Sequence, residues 1–173
     1  PEELSKTEAR LLWVKEAKVI ERFSAGVYGF RAKLGKMATG QGFGIGPEYI
    51  RRDLARGNLV ARGAAQISTR GAMKIDAEML LPGFASGWLF ANVYAVRHNY
   101  GGINYFGPGP DSAKTGRSNF RYEDVAVDGL LGVNLGRYLK AGGSAGRLWV
   151  NVGPGNDKRF VSAERIYGPG QTP

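Results

Sequence analysis

Two pairs of carboxylates open the chemical reading of this sequence. Asp76 with Glu78, and Asp124 with Asp128, are spaced by two and by four residues, so each pair shares one face of an extended strand. Paired carboxylates can perform acid–base chemistry on a glycosidic bond. They can equally face arginine and lysine from neighbouring strands, and the basic excess of the chain supplies those partners, so ion pairing is the reading adopted. His98 is the only histidine and there is no cysteine, which leaves any transition-metal site to carboxylates alone. A histidine beside a serine on a barrel wall can serve a hydrolase, but His98-Asn99-Tyr100 brings no nucleophile with it. Gly40, Gly42, Gly44 and Gly46 match neither G-x-G-x-x-G nor G-x-x-x-x-G-K-[ST]; their spacing puts them on one strand face, where they permit bending or close approach. No catalytic, cofactor-binding or metal residue is assigned, and neither a cofactor nor enzymatic activity is expected.

The formal charge is +9. Residues 1–24 carry five bases and five acids, so the whole excess lies in residues 25–173. A basic, glycine-rich segment first suggests nucleic acid. However, Arg31, Lys33, Lys36, Arg51, Arg52, Arg56, Arg62, Arg70 and Lys74 are dispersed among strands and turns without interleaved aromatics on one face. Anionic lipid headgroups and nearby carboxylates are the expected partners, and nucleic acid is not.

The elements that must position these groups follow from composition and periodicity. With 27 glycines and 8 prolines in 173 residues, spread along the chain, the sequence argues for many turns and strands and against a helical bundle. The absence of cysteine excludes a disulfide framework. No signal peptide is visible at the start. Ser5-Lys6-Thr7-Glu8 fits a capping box, and Ala9, Leu12, Trp13, Ala17 and Ile20 follow at helical spacing, which predicts one short amphipathic helix within residues 1–24. From Val27 the period becomes two. Tyr28, Phe30, Ala32 and Leu34 alternate with Gly29, Arg31, Lys33 and Gly35; Met73, Ile75, Ala77 and Met79 alternate with Lys74, Asp76 and Glu78; Val125, Val127, Leu131 and Val133 alternate with Asp124, Ala126 and Asp128.

These runs, with weaker ones, predict an all-β antiparallel meander of about seven strands at 27–37, 43–53, 58–69, 72–81, 88–98, 120–137 and 145–153. The uncharged run Met79 to Val96 is broken by Pro82-Gly83 and Ser86-Gly87, so it reads as two strands around a turn and not a membrane helix. Strands about ten residues long exceed the ordinary soluble strand and match a tilted crossing of a bilayer. If the helix end is periplasmic, turns near 54–57, 82–87 and 138–144 lie on that side, and the long segment 99–119 lies outside. Arg31, Lys33, Arg62, Lys74, Asp76, Glu78, Asp124 and Asp128 are then expected in the lumen, with Tyr28, Trp88, Tyr94, Tyr138 and Trp149 as interfacial aromatics. An odd strand count leaves the first and last strands unpaired, so the chain is expected to be incomplete and to need a further barrel half.

Tyr105-Phe106-Gly107-Pro108-Gly109-Pro110-Asp111-Ser112 resembles the aromatic-Gly-x-Gly-Pro-x-Ser loop of the bacterial surface-antigen superfamily, the outer-membrane barrels related to BamA and TamA. Gln41-Gly42-Phe43-Gly44-Ile45-Gly46-Pro47-Glu48-Tyr49 and Arg121-Tyr122-Glu123-Asp124 resemble segments of a POTRA-less group of these proteins. The resemblance covers roughly residues 1–170. It implies a barrel of about sixteen strands, of which this chain is the N-terminal half: residues 1–24 a periplasmic amphipathic helix, residues 25–173 a partial barrel. It also implies a bacterial outer-membrane location, membrane lipid and other outer-membrane proteins as partners, and a role in outer-membrane protein insertion or transport. The sequence departs from the family's Arg-Gly-Phe/Tyr loop motif, offering only Arg62-Gly63-Ala64 and Arg70-Gly71-Ala72. The rival readings are a passive pore or structural barrel without insertase activity, and a soluble β-sandwich binding module.

Overall fold

A computed structural model describes residues 28–38, 40–109, 112 and 114–167. The helix expected within residues 1–24 lies outside the described residues. Seven antiparallel strands, each paired with its sequence neighbour, form one sheet in the order β1 to β7. They are β1 (Phe30–Lys36), β2 (Phe43–Leu54), β3 (Leu59–Ser68), β4 (Met73–Phe84), β5 (Leu89–Tyr105), β6 (Ser118–Leu135) and β7 (Leu139–Pro154). A four-residue helix α1 (Ala163–Ile166) follows. The meander is therefore as the alternation predicts. The sheet is not closed: among the described residues β1 pairs only with β2, and β7 only with β6.

The sheet is a single layer, and its two faces have opposite characters. Along β4, Ile75 and Met79 are 48% and 56% exposed, whereas Asp76 between them is 2% exposed. The register carries this across the strands. Asp76 stands opposite Val96, and Val96 opposite Ala126; Ile75 stands opposite Arg97, and Arg97 opposite Val125. Curvature explains why charges are the covered side. The Lys33 Nζ of β1 lies 2.8 Å from Asp76 Oδ1 of β4, although three strand spacings of about 4.8 Å separate them along the sheet, more than these two side chains span across a flat surface. The sheet must curl toward the charged face, which is concave, and splay the apolar face, which is convex.

Glycine enables this curling where strands press together. A Cβ built on Gly46 of β2 would stand 2.8 Å from Gln66 Cα of β3, and one on Gly132 of β6 would stand 2.6 Å from Cε1 of Phe90, whose ring covers it. Neither position accepts a larger residue without local displacement.

The two ends of the meander differ. At one, the turn end, connections 55–58, 85–88 and 136–138 are short. At the other, the loop end, 106–117 is the longest link, and residues 155–167 fold back there after β7. Several boundaries depart from expectation. Pro82-Gly83 does not make the β4–β5 turn; both residues belong to β4, at an irregularity between Leu81 and Phe84 where a residue without N–H disturbs no regular ladder bond. The turn is Ala85-Ser86-Gly87, in which all three residues have positive φ (51°, 59° and 86°). Strand β5 runs through Gly101-Gly102 to Tyr105, so the expected loop 99–119 shrinks to 106–117. Strand β7 begins at Leu139 and not 145, because the glycines and alanines of 141–146 pair with β6 despite lacking any alternation to read. The expected turn at 138–144 shortens accordingly to 136–138.

The β2–β3 turn repeats the same conformation, with positive φ at Ala55 (48°), Arg56 (61°) and Gly57 (86°). A left-handed conformation costs an alanine roughly 1–2 kcal/mol, while glycine adopts it freely at an entropic cost of about 0.5–1 kcal/mol. Ala85→Gly is accordingly expected to raise stability by roughly 0.5 kcal/mol, seen as a higher denaturant midpoint at unchanged slope. A lower midpoint would mean that the Ala85 methyl contributes more than its backbone costs.

Candidate functional site

The concave face of β1–β4 holds a charge network centred on Arg62. Each strand places its even or odd set inward by pleat alternation, so one residue per two strand positions reaches the cluster. From Arg62 on β3, Nη1 approaches Glu48 Oε1 of β2 at 3.1 Å and Asp76 Oδ2 of β4 at 2.8 Å, and Nε donates to Glu78 Oε2 at 3.1 Å. Arg31 of β1 pairs with Glu48, and Lys33 donates to Asp76 Oδ1. Asn92 of β5 extends the network by donating to Glu78 Oε1 at 2.8 Å. Three cations thus meet three carboxylates, and the cluster is neutral as a unit. The Arg62–Asp76 approach is short but badly directed: Asp76 Oδ2 makes no hydrogen bond among the described residues, so the contact is coulombic and not a directed N–H···O bond.

Sequence reading placed Arg31, Lys33, Arg62, Asp76 and Glu78 on one face, and the structure brings all five together. It missed Glu48, which is 4% exposed. The alternation around Glu48 is obscured by the glycines at 44 and 46 and by Pro47, and only the pairing of Glu48 with Arg31 and Ala64 shows its face. The carboxylate pair Asp76 and Glu78 is joined through Arg62 and does not frame an open cleft, so the geometry is that of an ion-pair cluster. Asp124 and Asp128 share the face but not a site. Asp128 stands opposite Tyr94 and Gly146, while Asp124 lies four positions along β6, opposite His98.

His98 has a partner that the sequence did not reveal: its Nδ1 lies 2.6 Å from Asp124 Oδ1, and the backbone N–H of His98 donates to the same oxygen at 3.2 Å. Tyr122 OH approaches the other oxygen at 3.4 Å, and the His98 and Tyr100 rings are 5.1 Å apart. Cross-strand register makes this cluster, since His98 and Asp124 lie 26 residues apart in the chain. Lys74 stands opposite His98 on the same face. Among the described residues no group of three metal-ligating side chains occurs.

Of the expected interfacial aromatics, Tyr28, Trp88, Tyr138 and Trp149 are exposed. Tyr94 is a correction: its even position places it opposite Glu78 and Asp128 on the concave face, while Val93 and Ala95 take the convex one. Arg147 lies over the Trp149 ring at 4.9 Å, keeping its stem along apolar surface and its charge at the aromatic face.

The largest fully buried side chains, Gln41, Ser118 and Asn119, are at the loop end, where residues 155–167 cover the extensions of β5 and β6. Asn119 is fully buried there. Its Nδ2 donates to the Phe160 and Asp157 carbonyls at 2.7 and 3.1 Å, its Oδ1 accepts from Asp157 N–H, and its own N–H donates to the Val161 carbonyl. Tyr167 OH donates to the Gly116 carbonyl at 3.0 Å and its ring meets that of Tyr105 edge-on. Arg117 lies 3.9 Å over the Phe160 ring. In this cap the Arg159 guanidinium grips the Asp157 carboxylate through two bonds of 2.8 and 2.7 Å and, against a smaller opposing push from burial, lowers its pKa to about 2.

Because the folded value lies below the ordinary 3.8, the pair stabilises the cap fully above that pH. The contribution is lost as pH falls through about 2. An NMR titration of the Asp157 side-chain carbon is expected to show this low midpoint, and Arg159→Ala is expected to move it up toward 3.8. An unchanged midpoint in the variant would assign the shift to other groups. Comparison of the chain with protein-family models, with curated proteins and with solved structures gives no match in any of the three.

Proposed function

We propose that this chain is part of a bacterial outer-membrane β-barrel, with the convex face against lipid and the concave face toward the lumen. The observation that carries the reading is the inversion of the sheet: the carboxylates Glu48, Asp76 and Asp124 are buried on one face, and apolar side chains such as Ile75, Met79, Val127 and Leu131 are exposed over several adjacent strands on the other, which also carries Arg97 and Arg147. A mainly apolar face spread over that many strands exceeds the patches that water-exposed proteins tolerate. A lipid environment gives it a partner, and barrels in that setting keep polar groups inside. Strands of up to 18 residues, short turns at one end and longer links at the other support the same arrangement.

On this reading the free edges of β1 and β7 pair with further strands, because open edges in lipid leave backbone groups without partners at several kcal/mol each. Both edge strands run in the same direction, so antiparallel closure takes an odd number of additional strands, giving an even total. The resemblance to the surface-antigen superfamily then favours a role in outer-membrane protein insertion or transport. The neutral, closely paired network on the concave face favours the second reading, a structural barrel with no insertase role.

Reconstitution tests the location. Trp88 is expected to be quenched by lipids brominated near the headgroup. Trp149, two strand positions from the level of Val127, is expected to be quenched by lipids brominated deeper in the chain, as is a tryptophan placed at Val127. A monodisperse protein in detergent-free buffer, with no lipid quenching at any of the three positions, would refute the membrane reading. Depletion of the protein in cells then separates the two roles: a fall in other outer-membrane proteins supports insertion, and unchanged levels support the structural barrel.

A further inference from the structure

At the loop end lies a cavity of about 380 Å³ that the concave network does not reach. It forms where the β3–β4 turn with Thr69 and Arg70, the Gly101-Gly102 stretch of β5, and residues 156–159 after β7 converge, with Gln41 of the β1–β2 link as a fourth segment. The glycines are what let the third segment come close. A Cβ on Gly102 would stand 3.0 Å from Asp157 Cβ, and one on Gly101 would stand 3.5 Å from Asn156 Nδ2. Gln41, 2% exposed, fixes one wall by donating from Nε2 to the Gly102 carbonyl at 2.6 Å.

The charges of this cavity do not cancel. It holds Arg70, Lys158 and Arg159 with the single carboxylate of Asp157. Arg159 answers Asp157 through both of its oxygens, which leaves Arg70 and Lys158 in excess. Arg70 is close enough to Asp157 to lower its pKa as well, and it is held in place by donating to the Gly40 carbonyl. Two cations in excess therefore stand at a pocket whose remaining side chains, Gln41, Thr69 and Asn156, are neutral hydrogen-bonding groups.

We propose that this cavity binds a phosphate group carried on a saccharide, the phosphate held by Arg70 and Lys158 and the sugar hydroxyls by Gln41, Thr69 and Asn156. A guanidinium fork matches two phosphate oxygens, and a lysine adds a mobile point charge. The neutral amides and hydroxyl suit a polyhydroxylated group better than an apolar one. The site lies at the loop end, between the cap and the adjoining links of the sheet, and it does not depend on the sheet lying in a membrane. The phosphate could come from a soluble sugar phosphate or from a phosphorylated glycolipid headgroup, which share this chemistry.

Calorimetric titration of the full chain in detergent micelles with glucose 1-phosphate, inorganic phosphate and glucose tests the assignment. Saturable binding of glucose 1-phosphate is expected with a Kd of about 1 mM or below, weaker for inorganic phosphate, absent for glucose, and reduced as ionic strength rises. Arg70→Ala with Lys158→Ala is expected to weaken it at least tenfold, the exposed Lys158→Gln alone to weaken it without altering the melting temperature, and Arg165→Ala outside the cavity to leave it unchanged. Flotation with vesicles containing a phosphorylated or an unphosphorylated glycolipid identifies the source. Phosphate-dependent flotation that is lost in Lys158→Gln supports a headgroup, while binding of glucose 1-phosphate without such flotation supports a soluble ligand. Failure of both arms, or binding that survives the double substitution, would overturn the proposal.

Discussion

Replacing Arg62 by methionine is expected to destabilise the fold by about 3 kcal/mol, because removing one partner of a buried ion cluster leaves the others uncompensated. Glu48, Asp76 and Glu78 would then face only Arg31 and Lys33, and Asp76 would keep the Lys33 contact alone. Methionine approximates the arginine stem, so lost packing contributes little. Arg62→Lys keeps the charge but has no fork to bridge carboxylates on β2 and β4, and is expected to recover less than half of the loss. Urea unfolding in micelles measures both. A loss below about 1 kcal/mol for Arg62→Met would put the cluster in the class of solvated surface pairs and would mean that water reaches the concave face freely.

The second large effect is expected on the opposite face. Val127 lies on the convex side of β6, between Ala95 of β5 and Arg147 of β7, well away from both strand ends. On the proposed membrane reading, Val127→Lys destabilises folding into a bilayer by about 2–4 kcal/mol, whereas Tyr138→Lys at the turn end costs about 0–1 kcal/mol. The depth dependence is the informative part, since a soluble sheet would tolerate lysine at either exposed position about equally. Equal and small effects at the two sites would remove the lipid from the argument and leave the convex face in need of a protein partner.

Much of the architecture was legible because strand periodicity is a local property. The alternation of Ile75, Met79, Val127 and Leu131 with Asp76, Asp124 and Asp128 fixes which side chains share a face, whatever lies beyond the strand. The run Met79 to Val96 divides into β4 and β5 as its breakers imply. Where alternation is absent the reading erred: the small residues 141–146 hid the start of β7, Gly101-Gly102 hid the end of β5, and Pro82-Gly83 looked like a turn that Ala85-Ser86-Gly87 makes instead. Tyr94 was assigned by residue type, as an interfacial aromatic, when its position parity already placed it with Glu78 and Asp128.

The sequence by itself determined an all-β meander, its seven strands and the polar and apolar sets of most of them. Only the tertiary structure decided which polar residues meet. Register sets Asp124 beside His98 and Glu48 beside Arg31, and a shift of one residue in either pairing would have turned one strand's polar set to the opposite face. Curvature brings Lys33 of β1 to Asp76 of β4 across two intervening strands, and the return of residues 155–167 over β5 and β6 assembles the loop-end cavity from four separate segments. Pattern along a strand is written in neighbouring residues, whereas register, curl and loop return depend on contacts between residues far apart in the chain, whose free energies no single segment contains.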